Sequence, residues 1–173
     1  MFSGKSTLLQ KYIRQFKMLD QSVLVIKPDI DNRYSQHEIC THDLVKEKCV
    51  IVPTDGLVSF CESEEFQQSQ IIMIDEGQFF KDLYQVIKEK CIPSKKRVYI
   101  ASLNGDSERR LFGETHLLLP LCTHMDWLHA LCIRCKDGTP AVYSKRMSES
   151  TNQINVGASN EYEALCFEHY ESS

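Results

Sequence analysis

The sequence holds little glycine and proline and no long apolar run. Seven Gly and five Pro among 173 residues leave too little material for a collagen-like or broadly disordered chain. No uninterrupted apolar stretch approaches the roughly 18 residues that cross a bilayer, and the first residues lack the basic, apolar and small-residue succession of a secretory signal. A cytoplasmic chain without a membrane partner is expected. Positive charge is not in excess: 20 Lys plus Arg face 24 Asp plus Glu, a formal net charge of -4, so no global field favours a nucleic-acid partner. Cysteine is plentiful at 8, but Cys40, Cys49, Cys61, Cys91 and Cys122 are scattered singly, without the framework of a small disulfide scaffold. These five read as reduced core thiols.

What is present fits one ordinary domain with a small appendage. The hydrophobic fraction is 42% and the charged fraction 25%, as in soluble globular chains. Leu8, Leu9, Tyr12, Ile13, Phe16 and Leu19 recur at helical spacing and predict a helix over 5–19. SVLVIK at 22–27 predicts a buried parallel strand ending at Pro28, and the polar stretch 28–43 a loop of functional length. A strand is expected at 49–53, a short helix at 57–66, a strand in the apolar run 71–74, a helix over 82–91 and a strand leading into a loop over 97–105. Strands and helices in alternation imply an α/β fold, a parallel sheet with helices on both faces. Composition changes after Trp127, which divides the chain into a nucleotide-binding domain at 1–127 and a small domain at 128–173.

FSGKST at 2–7 carries the distal half of a P-loop, in which backbone amides and the following helix N-terminus wrap phosphate oxygens. Ser3, Gly4, Lys5, Ser6 and Thr7 are the candidate phosphate contacts, with Lys5 on the β and γ phosphates and Ser6 on magnesium. The first glycine of the full pattern would precede Met1, so two readings stand: an N-terminally shortened chain whose sheet lacks the strand feeding the loop, which is favoured, or a molecule with an incomplete phosphate cradle. In IIMIDEGQFF at 71–80 the apolar run delivers Asp75 and Glu76 to a strand's carboxyl edge, where open α/β sheets place ligands. Asp75 suits Mg2+. Glu76 suits acceptance of a proton from an attacking hydroxyl.

Cys132-x-x-Cys135 and Cys166-x-x-His169, separated by 30 residues, have the spacing of a structural zinc site. Four filled positions leave none for a reacting water, so the metal is expected to brace the fold. His37, His42, His116, His124 and His129 read as surface or loop histidines.

MFSGKST, KPDIDNRYS with THD, IDEGQFF, LNGDSERRLFG, CIRC, YSKR and VGASNEY before CFEH occur in this order along essentially the whole chain. Together they resemble the type II thymidine kinases, the cytosolic deoxynucleoside kinases of animals, bacteria and large DNA viruses. The resemblance implies a P-loop α/β domain carrying a zinc ribbon, with a lasso loop that closes over the nucleoside. It implies Glu76 as catalytic base; Lys5, Ser6 and Thr7 as triphosphate and magnesium contacts; and Arg33 beside the transferred phosphate, with Asp31 positioning metal or water. Met1, Phe79, Leu103 and Phe112 match apolar walls of the thymine pocket, and Gln78 follows the DE-x-Q-F pattern of the same site. Tyr162, Val156 and Gly157 match the lasso, and Ser144 falls beside the thymine methyl. Three departures stand out: the missing first glycine; Ser107, where relatives carry an aromatic residue; and His169 in place of a fourth Cys, which zinc tolerates.

The expected reaction is transfer of the γ-phosphoryl of ATP to thymidine or deoxyuridine, with Mg2+ and structural Zn2+. The resemblance further implies a homotetramer inhibited by thymidine triphosphate. Two other readings stand beside it: a non-catalytic nucleotide-binding or zinc-ribbon module, and another P-loop phosphotransferase or NTPase.

Overall fold

The structure is a computed structural model that describes residues 2–30, 49–147, 153 and 161–172, and the backbone course at 38–40 and 46–48. Helix α1 (Lys5–Lys17) is followed by β1 (Val23–Pro28), β2 (Glu38–Cys40), β3 (Lys46–Lys48) and β4 (Val50–Val52). Short helices α2 (Leu57–Phe60) and α3 (Glu64–Gln68) precede β5 (Ile71–Ile74). A 3-10 turn at Gly77–Phe79 leads to α4 (Leu83–Val86), which continues as a π-turn through Ile87–Cys91. Strand β6 (Arg97–Ile100) comes next, and a 3-10 segment spans Thr115–Leu121.

The central sheet runs in the order β4-β1-β5-β6, and every pairing is parallel. Its register sets Ile26 opposite Ile74, and Ile74 opposite Ile100. Side chains alternate across the pleat, so both faces must be covered. Val25, Ile71 and Met73 pack with Leu9 and Ile13 of α1 on one face. Leu24, Ile26, Ile72 and Ile74 pack with Leu57, Phe66, Phe80, Leu83 and Val86 on the other. This two-sided burial explains why β5 is apolar at every position, and each such side chain taken out of water contributes about 1.5–3 kcal/mol. The α/β expectation, with helices on both faces of a parallel sheet, therefore holds.

Two local expectations change. The helix expected over 57–66 is divided, because Ser63 leaves helical geometry and its Oγ accepts a hydrogen bond from the Phe66 amide at 3.2 Å. That cap, followed by Glu64 and Glu65 in the first turn, starts a new helix. Within the stretch read as a loop, Glu38–Cys40 forms β2 and pairs antiparallel with β3.

Beyond the sheet, β7 (Ala130–Leu131) pairs with β8 (Pro140–Ala141), and β9 (Tyr143–Arg146) pairs with β10 (Tyr162–Leu165), both antiparallel. Helix α5 (Phe167–Glu171) closes this segment. Ala130, Ala141, Ala164, Leu165 and Tyr170 form its own small core. Among the described residues no helix is long and apolar enough to cross a membrane.

Candidate functional site

Helix α1 begins at Gly4, whose φ of 79° lies in the left-handed region that glycine enters without a Cβ penalty. The Gly4 carbonyl accepts the Leu8 amide at 2.9 Å. The first amides of a helix have no intrahelical acceptor, and no acidic residue occupies this first turn. The end of α1 thus offers donors and a positive dipole to an anion, with Lys5 half-buried beside them.

The carboxyl edge of β5 meets this helix end. Ser6 Oγ donates to Asp75 Oδ2 at 3.2 Å, which brings a hydroxyl and a carboxylate from distant parts of the sequence to one point. Asp75 Oδ1 accepts the Glu76 amide at 3.1 Å. Both acids are buried, at 3% and 8% exposure. Glu76 adopts φ 52° and ψ 43°, a left-handed conformation uncommon for a residue with a side chain. It redirects the chain out of β5 into the 3-10 turn. The hard-oxygen pair of Ser6 and Asp75 fits a magnesium ion.

Gln78, 2% exposed, lies between Glu76 and the loop after β6. Its Nε2 donates to Glu76 Oε2 at 2.5 Å. Its Oε1 accepts from the Leu103 amide at 3.0 Å and from Ser102 Oγ at 3.2 Å. Ser102 Oγ in turn lies 2.5 Å from Thr115 Oγ1. Phe79 and Phe112 meet edge to face, with ring centroids 5.5 Å apart, a favoured aromatic geometry. Gly113, at φ 58°, rests on the Gln78 backbone so closely that a Cβ there would fall 2.1 Å from the Gln78 carbonyl oxygen.

A second cluster lies in the C-terminal segment. The sulfurs of Cys132, Cys135 and Cys166 stand 3.5, 3.3 and 3.3 Å from His169 Nδ1, and Cys135 Sγ is 3.7 Å from Cys166 Sγ. Tetrahedral zinc with bonds of about 2.0–2.3 Å sets its ligands roughly 3.5–3.8 Å apart, so three thiols and one imidazole converge here at the spacing a metal needs. Burial pushes the Cys132 thiol up, but the amides of Cys166, Cys135 and Arg134 outweigh it and bring the group down to about 6, toward the thiolate that binds metal.

A family description for thymidine kinase matches residues 1–170. The chain belongs to the thymidine kinase family. It is 35% identical to the thymidine kinase of Fowlpox virus (strain NVSL), over 96% of this chain and 90% of that protein. It is 34% identical to thymidine kinase a of Arabidopsis thaliana, over 98% of this chain and 71% of that protein. The cytosolic thymidine kinase of Gallus gallus is 33% identical, over 96% and 71% respectively.

Within this family member the residues expected to act together fall into three groups. Gly4, Lys5, Ser6 and Thr7 open α1, directly after Ser3, and Ser6 touches Asp75. Phe79, Leu103 and Phe112 surround the Gln78 turn, and the side-chain amide of Gln78 is directed at Glu76 and Leu103. Ser144 and Tyr162 stand on the β9–β10 ribbon. Tyr162 Oη accepts from Arg146 Nε and Nη2 at 3.3 and 3.2 Å. Arg146 Nη2 also reaches the Gln153 carbonyl at 3.3 Å, and Gln153 Nε2 donates to the Leu111 carbonyl at 3.0 Å, linking the ribbon to the Phe112 loop. Met1, Asp31, Arg33, Val156 and Gly157 lie outside the described residues.

Sequence reasoning missed Ser102, Thr115, Gly113 and the Asp106 turn. No spacing rule marks them; the LFG at 111–113 was the one available sign of a tight approach. Among the scattered thiols, Cys49, Cys61 and Cys91 are buried as expected, and burial pushes Cys61 up to about 11 and Cys91 up to about 12. Cys122 is exposed, against expectation, because it follows a 3-10 segment in which Leu118 alone is buried.

Proposed function

We propose that this chain transfers the γ-phosphoryl of ATP to the 5′-hydroxyl of thymidine. The observation that carries the reading is the contact of Ser6 with Asp75, which sets the anion-binding end of α1 against an acidic strand end bearing a buried carboxylate, Glu76. In this reading Lys5, Thr7, Ser3 and the first amides of α1 hold the triphosphate, and Ser6 with Asp75 holds Mg2+. Magnesium, when bound, would neutralise charge on the phosphates as transfer proceeds. Glu76 accepts the proton of the 5′-hydroxyl as its oxygen bonds to the γ-phosphorus, and the bond from that phosphorus to the β-γ bridging oxygen breaks to release ADP. In this reading Arg33 helps to neutralise charge on the transferred group.

Met1, Phe79, Leu103, Phe112 and Ser144 hold the thymine, and a lasso carrying Val156, Gly157 and Tyr162 closes over it. A domain at 128–173 is braced by zinc on Cys132, Cys135, Cys166 and His169. Cytoplasmic action, a homotetramer and inhibition by thymidine triphosphate complete the proposal. The exposed Met125, Trp127, Leu128 and Leu131 support an interface between copies. The kinship over residues 1–170 weighs against a non-catalytic module.

The test is ADP release from ATP and Mg2+ with and without thymidine. Release that depends on thymidine, and that falls by at least about a hundredfold in Glu76→Gln, is expected. Release independent of thymidine would mark an NTPase, and tight nucleotide binding without turnover would mark a binding module.

A further inference from the structure

We propose that Gln78 is a positioning residue for the reaction: it holds the carboxylate of Glu76 at a fixed angle and contacts no substrate atom. The inference rests on the reading of Glu76 as the base. An amide side chain has one acceptor end and one donor end, and here its orientation is decided by its neighbours. The Leu103 backbone N–H can only donate, so the atom 3.0 Å away is the oxygen of Gln78. The nitrogen therefore faces Glu76 Oε2, at 2.5 Å. Donation to a carboxylate makes this a charge-assisted bond, stronger and shorter than a neutral one.

The acceptor end is braced as well. Ser102 Oγ also approaches the Gln78 oxygen, at 3.2 Å, and is itself held 2.5 Å from Thr115 Oγ1. Below the side chain, the absence of a Cβ at Gly113 lets the loop close onto the Gln78 carbonyl. Glu76 leaves the end of β5 in a left-handed conformation, and its Oε2 meets the Gln78 amide directly after that turn. At 2% exposure, Gln78 has both ends of its amide engaged by the protein and is placed to act through Glu76.

Steady-state kinetics on the full chain test this with Gln78→Met, which keeps length and removes both ends of the amide, and with Ser102→Ala, which removes one brace. Gln78→Met is expected to lower kcat by about 10–100-fold, the scale of a misplaced reacting group, with KM for thymidine changed by less than about threefold. Ser102→Ala should lower kcat by about 2–5-fold in the same pattern, and it keeps the question open to test should Gln78→Met not fold. The decisive arm is the double variant. If Gln78 acts only through the carboxylate, adding Gln78→Met to Glu76→Gln causes little further loss. A raised KM with kcat intact, or losses that multiply in the double variant, would overturn the inference in favour of a substrate contact or a merely structural role. Glu76→Gln with full turnover removes the base, and this inference with it. An inactive Glu76→Gln beside normal kcat in Gln78→Met and Ser102→Ala removes the inference alone.

Discussion

Asp75 and Glu76 are adjacent in sequence, yet each meets a different element. Asp75 follows β5 directly, its amide donating to the Ile26 carbonyl at 3.0 Å, and accepts from Ser6 on the α1 side, whereas Glu76 turns out of the strand and meets Gln78. Gly113 shows how little room surrounds this pair. Gly113→Ala would place a methyl 2.1 Å from the Gln78 carbonyl oxygen at a φ of 58°, so the loop must retreat. A loss of about 2 kcal/mol or more is expected from the clash and the left-handed backbone together, read by denaturant unfolding, with turnover falling in parallel. Wild-type stability in Gly113→Ala would refute the close approach. The strand-end acids were legible in the sequence, since the apolar run at 71–74 stops where they begin. The contacts of Gln78 were not, because its partners Leu103 and Ser102 are separated from it by other elements.

At the scale of elements, the side-chain contacts of the turn at 106–110 converge on one carboxylate. Asp106 accepts from the amides of Glu108 and Arg110, both at 2.9 Å, and from Arg110 Nε and Gln153 Nε2, both at 2.8 Å. Burial opposes its charge, but the Arg110 amide, the Gln153 amide, the Arg110 guanidinium and the Glu108 amide together hold the carboxyl below its ordinary range. A depressed folded value means that the stabilisation is present above the unfolded Asp range near about 4 and is lost as pH falls through the lower folded value. Asp106→Asn is therefore expected to lower the melting temperature by about 2–6 °C at pH 7. The gap from the unaltered chain should narrow toward pH 3, and a gap that widens on acidification would refute the assignment. The central strands and α1 were readable as elements, because burial on both sheet faces leaves long apolar runs and one-sided burial leaves a helical stripe. The division at Ser63 was harder to see, since a single capping oxygen decides it.

Across the whole molecule, the Cys and His cluster is tied to the candidate site. Helix α5 follows Cys166 and carries His169; one residue on, Tyr170 Oη donates to the Ser107 carbonyl at 2.7 Å. Glu171 Oε1 accepts from Arg109 Nη1 at 2.5 Å, and the Arg109 guanidinium lies over the Tyr143 and Tyr170 rings at 5.5 and 4.8 Å. Exposed ion pairs contribute little alone, but the rings and the hydroxyl add direction. About one zinc per chain is expected by metal analysis, and Cys132→Ser or His169→Ala should loosen both the C-terminal segment and the 106–113 loop, seen as faster amide exchange in each. Protein purified without chelator and found free of zinc would refute the metal. Faster exchange confined to the C-terminal segment would refute the connection to the loop.

The sequence by itself determined the alternation of apolar strands and helices, the ligand spacing of the Cys and His cluster, and the motifs that place the chain among the thymidine kinases, because these signals are local or carry their own spacing. Only the tertiary structure decided that Ser6 meets Asp75, that the Gln78 amide spans Glu76 and Leu103, and that α5 clasps the loop bearing Arg109. Each of these contacts joins residues whose positions depend on sheet order and loop closure, and side chains brought together in that way leave no periodic trace in the chain.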